Sequence, residues 1–444
     1  MRLILSLFAL VLSALPALPA AAASPVLMIS IDGLRPADIL DAEARGLKVP
    51  ALRALAHDGA YADKVRGVLP TLTYPSHTTL ITGVWPAKHG IANNLTFDPF
   101  VKNQTGWYWY AEDIKVPTLW DAAHAAHLKV ANVHWPVSVG AAAIDLNLPQ
   151  LWRTGTNDDR KLNRALATRG LTERLEAALG LYADGIDESV EGDETRERFA
   201  EKLMVDEKPG FATVYFTGLD HVQHGFGPDT PEAHAALERI DAAVGKLVTA
   251  ARKAQPGLVV VVVSDHGFAP VEHDVNLIAP FVQAGLIRID LAKREIISWE
   301  AEPWFAGGSA GVVLARPGDA ALKARVEAVL DKLKANPANG IDAVLGSDEI
   351  ARLGGSADAQ YMISFKVGYE MGKDPLGPPV GPSPVKGMHG YVPATPQMRS
   401  TFIVFGPGLK AHGSLGEIDM RDIAPTIAGL MGARLPTADG KPLF

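Results

Sequence analysis

The sequence predicts an α/β fold: a mostly parallel central sheet with helices on both faces, carrying a small inserted α+β subdomain. Three observations point there. Several short runs are mostly apolar on both faces, amphipathic segments of helical period lie between them, and three of the runs end at or near an Asp. A strand apolar on both faces belongs inside a parallel sheet covered by helices, and alternation of such strands with helices is the α/β pattern.

In chain order, Val26–Ile31 is the first run and ends at Asp32-Gly33. Pro50–His57 follows as a helix. The segment from Thr71 to Leu80 reads as a strand-to-helix transition, with Thr73 placed as the N-cap and Pro75 in the first turn, where its missing N–H costs nothing. Thr118–His127 and Leu171–Leu179 are the next helices. Phe211–Phe216 is a second apolar strand ending near Asp220. Pro231–Arg252 carries Ala, Leu, Ile and Val at helical spacing with charges opposite. Leu258–Val263 is unbroken and closes on Ser264-Asp265-His266-Gly267, and Thr401–Phe405 closes on Gly406. The region of about 280–385 breaks this alternation. Ser309–Leu314, Asp319–Ala335 and Tyr361–Val367 predict the inserted subdomain, and the Gly/Pro-rich stretch from Gly368 to Gly387 reads as a long loop.

The chain has 444 residues, of which 48% are hydrophobic and 21% charged. That is enough for a sizeable core and too apolar for disorder. A net charge of -8, with no Lys/Arg-rich run, argues against coating nucleic acid. Cysteine is absent, which excludes disulfides, thiolate metal sites and cysteine nucleophiles, so any metal must be held by His and carboxylates. At the N-terminus, Arg2, the apolar run Leu3–Leu15 and the Ala20–Ala23 cleavage sites read as a secretory signal over 1–23. Pro16 and Pro19 interrupt the segment, and the run is short for a membrane span. The expectation is a periplasmic or secreted protein with no stable membrane anchor, its catalytic domain covering 24–444.

The chemistry sits at the strand ends. Asp32, Asp220 and Asp265 lie where ligands bind in such sheets, and His224, His266 and His389 complete a set of oxygen and nitrogen donors suited to zinc. Six donors exceed one four-coordinate site and suit two metals, the arrangement used for in-line displacement at phosphorus. Thr73 stands at a helix N-terminus, a place favourable to an oxyanion. Its hydroxyl is a weak nucleophile unless a metal lowers its pKa.

These motifs together resemble the nucleotide pyrophosphatase/phosphodiesterase family of the alkaline phosphatase superfamily. The resemblance rests on Ser30-Ile31-Asp32-Gly33, Thr73-Tyr74-Pro75-Ser76-His77, the stretch from Thr82-Gly83 to Asn93-Asn94, Asp220 to His224 with Gly227-Pro228, Ser264-Asp265-His266-Gly267 and His389-Gly390-Tyr391, in family order. It implies an alkaline phosphatase-like fold and two Zn2+ ions. Thr73 is then the nucleophile and bridges both metals. Asp32, Asp265 and His266 hold one metal; Asp220, His224 and His389 hold the other. Asn94 takes a non-bridging phosphoryl oxygen, helped by the Thr73 N–H. Tyr74 stands where the family often has Phe and offers a face to a substrate group, and Ser76 replaces a frequent Asn. The substrate implied is a small phosphodiester or nucleotide, cleaved through a covalent phosphothreonine.

Other readings share these residues. A phosphomonoesterase or phosphonate hydrolase differs only in the pocket, and a monoester would profit from an added cation such as Lys88 or Arg153. A lipid-headgroup phosphodiesterase would draw on Trp107-Tyr108-Trp109-Tyr110, although a strand packing alternate rings into the core is the preferred reading of that run. A periplasmic zinc-binding protein would need neither Thr73 nor Asn94. His77 and His89 read as structural hydrogen-bonders and His221 as exposed or supporting a ligand.

Overall fold

The computed structural model describes residues 23–444 except Gln104, Thr105, Asp184 and Lys373; the expected signal segment up to residue 22 lies outside the described residues. Eight strands form the central sheet: β1 (Val26–Ile31), β2 (Ala60–Tyr61), β3 (Val130–Val133), β4 (Leu146–Leu148), β5 (Phe211–Phe216), β6 (Val259–Val263), β7 (Phe402–Phe405) and β8 (Gly413–Ser414). Their order is β8-β2-β7-β6-β1-β5-β3-β4. The five strands from β6 to β4 run parallel, and β7 pairs antiparallel with both β6 and β2. The α/β expectation therefore holds.

Alternation along the strands explains why both faces are covered. In β1, Leu27, Ile29 and Ile31 enter one core while Val26 and Met28 enter the other. β6 divides in the same way, with Val260 and Val262 against Val259, Val261 and Val263. Successive side chains of a strand point to opposite faces, so an uninterrupted Val/Ile run serves two cores at once. The first core is closed by helices Pro50–Asp58, Val190–Asp206 and Pro231–Ala254, the second by Thr73–Thr82, Leu119–Ala125 and Ile423–Leu430.

Residues between Ala269 and Met398 build a separate core. Strand Ala269–Val275 pairs with Gly368–Met371, Val380–Pro382 and Gly387–Met388, so part of the expected 368–387 loop is short strand. These pieces are only two to four residues long and Gly/Pro-rich, which hides them from pattern reading. Strands Ala301–Ala306, Ser309–Leu314, Tyr361–Phe365 and Ile341–Gly346 form an antiparallel sheet in that order, backed by helix Ala320–Ala335. The 107–110 run is not a strand. It makes isolated bridges at Trp107 and Tyr110 and packs its rings against Tyr74 and Trp152.

Candidate active site

Three neighbouring strands deliver three carboxylates to one edge of the sheet. β1 is flanked by β5 and β6, so Asp32, Asp220 and Asp265 leave adjacent strand ends. Asp32 follows Ile31 directly. Asp220 lies on helix Gly218–Phe226, which starts after β5 and carries His224 one turn later. Asp265-His266 follows β6. Gly33 adopts a left-handed φ of +68°, and a Cβ there would meet Gln223 Nε2 at 2.9 Å. The tight turn lets its N–H donate to Asp265 Oδ1 at 3.2 Å.

The six expected donors fall into two groups, Asp32 with Asp265 and His266, and Asp220 with His224 and His389. Within each group one donor atom per residue lies within 4.8 Å of the others. His266 Nε2 is 3.1 Å from Asp265 Oδ2 and 3.4 Å from Asp32 Oδ1; His224 Nε2 is 3.3 Å from Asp220 Oδ1. The groups adjoin through the stacked rings of His266 and His389, whose centroids are 3.7 Å apart.

Each of the three imidazoles is oriented by a carbonyl behind it. The Nδ1–H of His389 donates to Thr71 O, that of His224 to Gly387 O and that of His266 to Gly267 O, at 3.0, 2.9 and 3.1 Å. A carbonyl only accepts, so each ring carries a proton on Nδ1 and turns Nε2 to the site. Burial acts downward on His266, but Asp265 and Asp220 outweigh it and raise its pKa, so a metal there would take the place of a proton on Nε2. The Tyr215 hydroxyl donates to Asp32 Oδ2. That leaves Asp32 Oδ1, Asp220 Oδ2 and Asp265 Oδ2 buried without a hydrogen-bond partner. One orphaned oxygen on each of three buried carboxylates, facing three imidazole Nε2 atoms, fits divalent cations.

The charges agree. Burial, reinforced by the charges of Asp220 and Asp265, pushes the Asp32 carboxyl well above its usual range, and burial raises Asp220. Burial also acts upward on Asp265, but His266 and His77 outweigh it and hold that carboxyl low. Burial, with His266 and His224 nearby, keeps His389 a neutral base.

Thr73 opens helix Thr73–Thr82, all of which is buried. The expected N-cap role is corrected: Leu72 occupies that position, no side chain caps the helix, and Thr73 is its first residue. Its Oγ1 turns instead to His266 Nε2, 3.4 Å away. Asn94 Oδ1 accepts the Tyr74 N–H at 2.9 Å, which fixes the amide flip and leaves its NH2 as the outward donor. Tyr74 differs from expectation. Its ring is 1% exposed, its hydroxyl bonds Gln150, and Trp107 lies 5.1 Å from it. A hydroxyl with a buried partner draws the ring inward. Partly exposed Trp107 and Trp152 take the outer positions.

The supporting residues were only partly foreseen. His77 donates from Nδ1 to Thr73 O at 2.8 Å and takes the Ser30 hydroxyl on Nε2 at 2.9 Å; burial pushes its pKa down to about 4. His89 bonds Thr79, and His221 is exposed beside Glu188. Tyr215 and Asn93 were missed. Asn93 Oδ1 accepts the Asn94 N–H at 2.7 Å while its Nδ2 donates to Phe305 O at 2.9 Å. A tyrosine inside a buried strand is the one available signal for Tyr215, because its hydroxyl needs a partner. Lys88 is held by Asp439 and Thr437 O, and Arg153 donates to Asn103 O, so both candidate extra cations are engaged elsewhere.

Residues 26–391 match the model of the type I phosphodiesterase / nucleotide pyrophosphatase family. An uncharacterised pyrophosphatase/phosphodiesterase of Schizosaccharomyces pombe is 29% identical over 56% of this chain and 45% of its own length. Ectonucleotide pyrophosphatase/phosphodiesterase family member 1 of Homo sapiens is 28% identical over 55% of this chain and 23% of its own. The chain thus spans less than half the length of these curated relatives. Among solved structures, human ectonucleotide pyrophosphatase/phosphodiesterase 5 superposes with a TM-score of 0.67 at 18% identity, covering 94% of this chain and 97% of its own. The murine protein of that name, in an inactive form complexed with AMP, gives 0.67 at 17% identity over the same shares of the two chains. Matched over most of its length by the family model, the chain belongs to the type I phosphodiesterase / nucleotide pyrophosphatase family.

Proposed function

We propose that the protein is a two-zinc phosphodiesterase or nucleotide pyrophosphatase that works through a covalent phosphothreonine on Thr73. The observation that carries this reading is the Thr73 hydroxyl, 3.4 Å from His266 Nε2 and beside carboxylates that each keep one orphaned oxygen. Asp32, Asp265 and His266 would hold one zinc and Asp220, His224 and His389 the other. Bound there, the metals lower the hydroxyl pKa and offset charge on the leaving oxygen.

Thr73 Oγ1 gives up its proton to solvent and forms the new bond to phosphorus as the ester or anhydride oxygen leaves with the bonding pair, to be protonated by solvent where its basicity requires. Asn94 Nδ2 and the Thr73 N–H at the helix start donate to a non-bridging oxygen. Water then attacks the phosphothreonine, the Oγ1–P bond breaks, and Thr73 is regenerated. The helix Thr73–Thr82 contains no Lys or Arg, and Lys88 and Arg153 are tied elsewhere. A reacting phosphoryl group with one negative charge suits that setting better than a monoester dianion. The AMP bound by the murine structural neighbour supports a nucleotide substrate. Trp107 and Trp152 offer aromatic surface to its base, in place of the buried Tyr74 ring. The N-terminal segment supports a periplasmic or secreted location.

The test compares bis-p-nitrophenyl phosphate with p-nitrophenyl phosphate in the zinc-loaded protein and in Thr73→Ala. Diester preference lost in the variant, with a phosphoryl adduct on Thr73 seen by mass spectrometry after acid quench, supports the reading. Activity that survives Thr73→Ala overturns the mechanism, and monoester preference overturns the substrate class. Zinc binding with no Thr73-dependent hydrolysis of either substrate favours the non-enzymatic zinc-binding alternative.

A further inference from the structure

We infer that a buried Asp193–Arg196 ion pair is a positioning device for the Asp220–His224–His389 group alone, leaving the Asp32–Asp265–His266 group independent of it. The inference rests on the two-metal reading above.

The argument begins with a helix that lacks a cap of its own. Gly218–Phe226 starts after Thr217, whose side chain makes no capping bond. The first N–H groups of a helix need partners from outside. Asp193, 0% exposed and on a different helix, supplies them: its Oδ1 accepts the Thr217 N–H at 3.0 Å and its Oδ2 the Gly218 N–H at 2.7 Å. A carboxylate is also the charge that a helix N-terminus favours. Arg196, equally buried, fixes that carboxylate through Nη1 at 2.8 Å, donates to Thr217 Oγ1 at 3.1 Å, and reaches the Asp187 carbonyl through Nη2.

Glycine at 218 makes this approach possible. A Cβ there would stand 2.8 Å from Asp193 Oδ2 and 2.9 Å from Val190 N. Asp220 lies two residues further on, roughly 3 Å along the axis at 1.5 Å per residue. Any displacement of the first turn is therefore passed to its carboxylate before the anchors further along the helix, Gln223 on Gly33 O and His224 on Gly387 O, can correct it. The other group is oriented from the sheet side, with Tyr215 of the paired strand β5 behind Asp32 and the Gly33 N–H behind Asp265. Among the described residues the helix hydrogen-bonds toward it only through Gln223 on the Gly33 carbonyl. Asp193 bonds the Thr217 and Gly218 N–H groups and neither of those two donors, which is why the effect falls on one metal.

The experiment titrates zinc into chelator-stripped protein by calorimetry, for wild type, Asp193→Asn and Gly218→Ala, with circular dichroism confirming the fold. Asp193→Asn keeps the shape but puts an NH2 against one of the two N–H donors. Gly218→Ala keeps both charges and obstructs the approach, so it decides the matter where Asp193→Asn does not fold. The expected result is two zinc ions in wild type. In the variants one ion stays at wild-type affinity and the other weakens tenfold or more, the usual scale for a group behind a ligand. Two zinc ions at unchanged affinity in a folded variant, or equal weakening of both, overturns the inference. A wild type that binds fewer than two ions overturns the two-metal reading on which it rests. Arg196→Lys, which keeps the charge and loses the fork, is expected to fall between wild type and Asp193→Asn in affinity for the weakened ion.

Discussion

Replacing Tyr215 with Phe isolates one hydrogen bond at the metal site. The ring sits inside β5, with its centroid 4.5 Å from that of His77 and 6.0 Å from that of His134, so a phenyl group fills the same space. What is lost is the donor to Asp32 Oδ2. Since Asp32 Oδ1 already has no partner, the variant leaves both carboxylate oxygens without a hydrogen bond. In the metal-free protein the carboxyl, raised by burial and by the charges of Asp220 and Asp265, can take a proton and avoid most of that cost. With zinc bound it must be ionised, and a hydrogen bond to a charged group is worth about 1.5–3 kcal/mol. Zinc affinity at the Asp32 group should therefore fall about 10- to 100-fold, while the Asp220 group and the stability of the metal-free protein change little. Competition against a chromophoric chelator measures the affinity, and urea unfolding of the stripped protein measures the stability. Unchanged zinc affinity together with a loss of 2 kcal/mol or so in the stripped protein would refute the reasoning, because the bond would then serve folding.

Asn94→Ala should lower kcat/KM for a diester on the order of 10²- to 10³-fold with zinc content unchanged, the scale for losing one oxyanion donor; a loss under threefold in steady-state assays would count against its role. Removing zinc should lower the urea midpoint, since a ligand at a hundred times its Kd adds about 2.7 kcal/mol per site; a midpoint insensitive to chelator would contradict the metal sites. Glu302 is 8% exposed with Oε2 unpartnered, and burial followed by the charge of Asp98 pushes its carboxyl up to about 8. Folded protein then holds a proton that unfolded chain releases near 4.5, so stability falls as pH rises through that window, by at most about 5 kcal/mol. Glu302→Gln should flatten this slope in the stripped protein and be the more stable form at pH 8.5, which unfolding curves at pH 5, 7 and 8.5 would check.

Physical reasons separate what the sequence discloses from what it hides. β1, β5 and β6 are legible because strands serving two cores are mostly apolar on both faces, and a charged residue close after such a run has to be held by something. β3 is hidden by its own polar centre: Asn132 is buried in it, donating to Ser138 and Asn147. β2, β4 and β8 are two or three residues long, too short to show a period. The donor set could be collected from strand ends, but the groups that aim it are tertiary. Tyr215 and Asp32 are 183 residues apart, and Asp193 and Thr217 are 24 apart with a strand between. The Thr73 cap reading failed because a side chain has one direction, and this one points at His266 instead of its own backbone. The Tyr74 reading failed on a hydroxyl whose partner, Gln150, lies 76 residues away.

The arrangement around Asn94 joins these pieces into one device. Asn94 spends its oxygen on the Tyr74 N–H, so it meets a substrate as a donor only, and of the first two helix N–H groups only that of Thr73 remains for a phosphoryl oxygen. Asn93 locks the same turn by accepting the Asn94 and Leu95 N–H groups, and its amide ties the turn to Phe305 in the antiparallel sheet. Thr73 and five of the six donors sit on the central sheet or on the helices that leave it, whereas the turn bearing Asn94 is braced by the separate core that starts at Ala269. His389 belongs to both sides, since its ring donates to Thr71 O and its carbonyl accepts the Gly308 N–H. The Asn94 amide is thus tied directly to the start of the Thr73 helix through the Tyr74 N–H, and the Asn93 bond to Phe305 O braces the same turn from the antiparallel sheet. Among the six donors the region Ala269–Met398 contributes only His389, yet through Phe305 O it also braces the turn that carries Asn94.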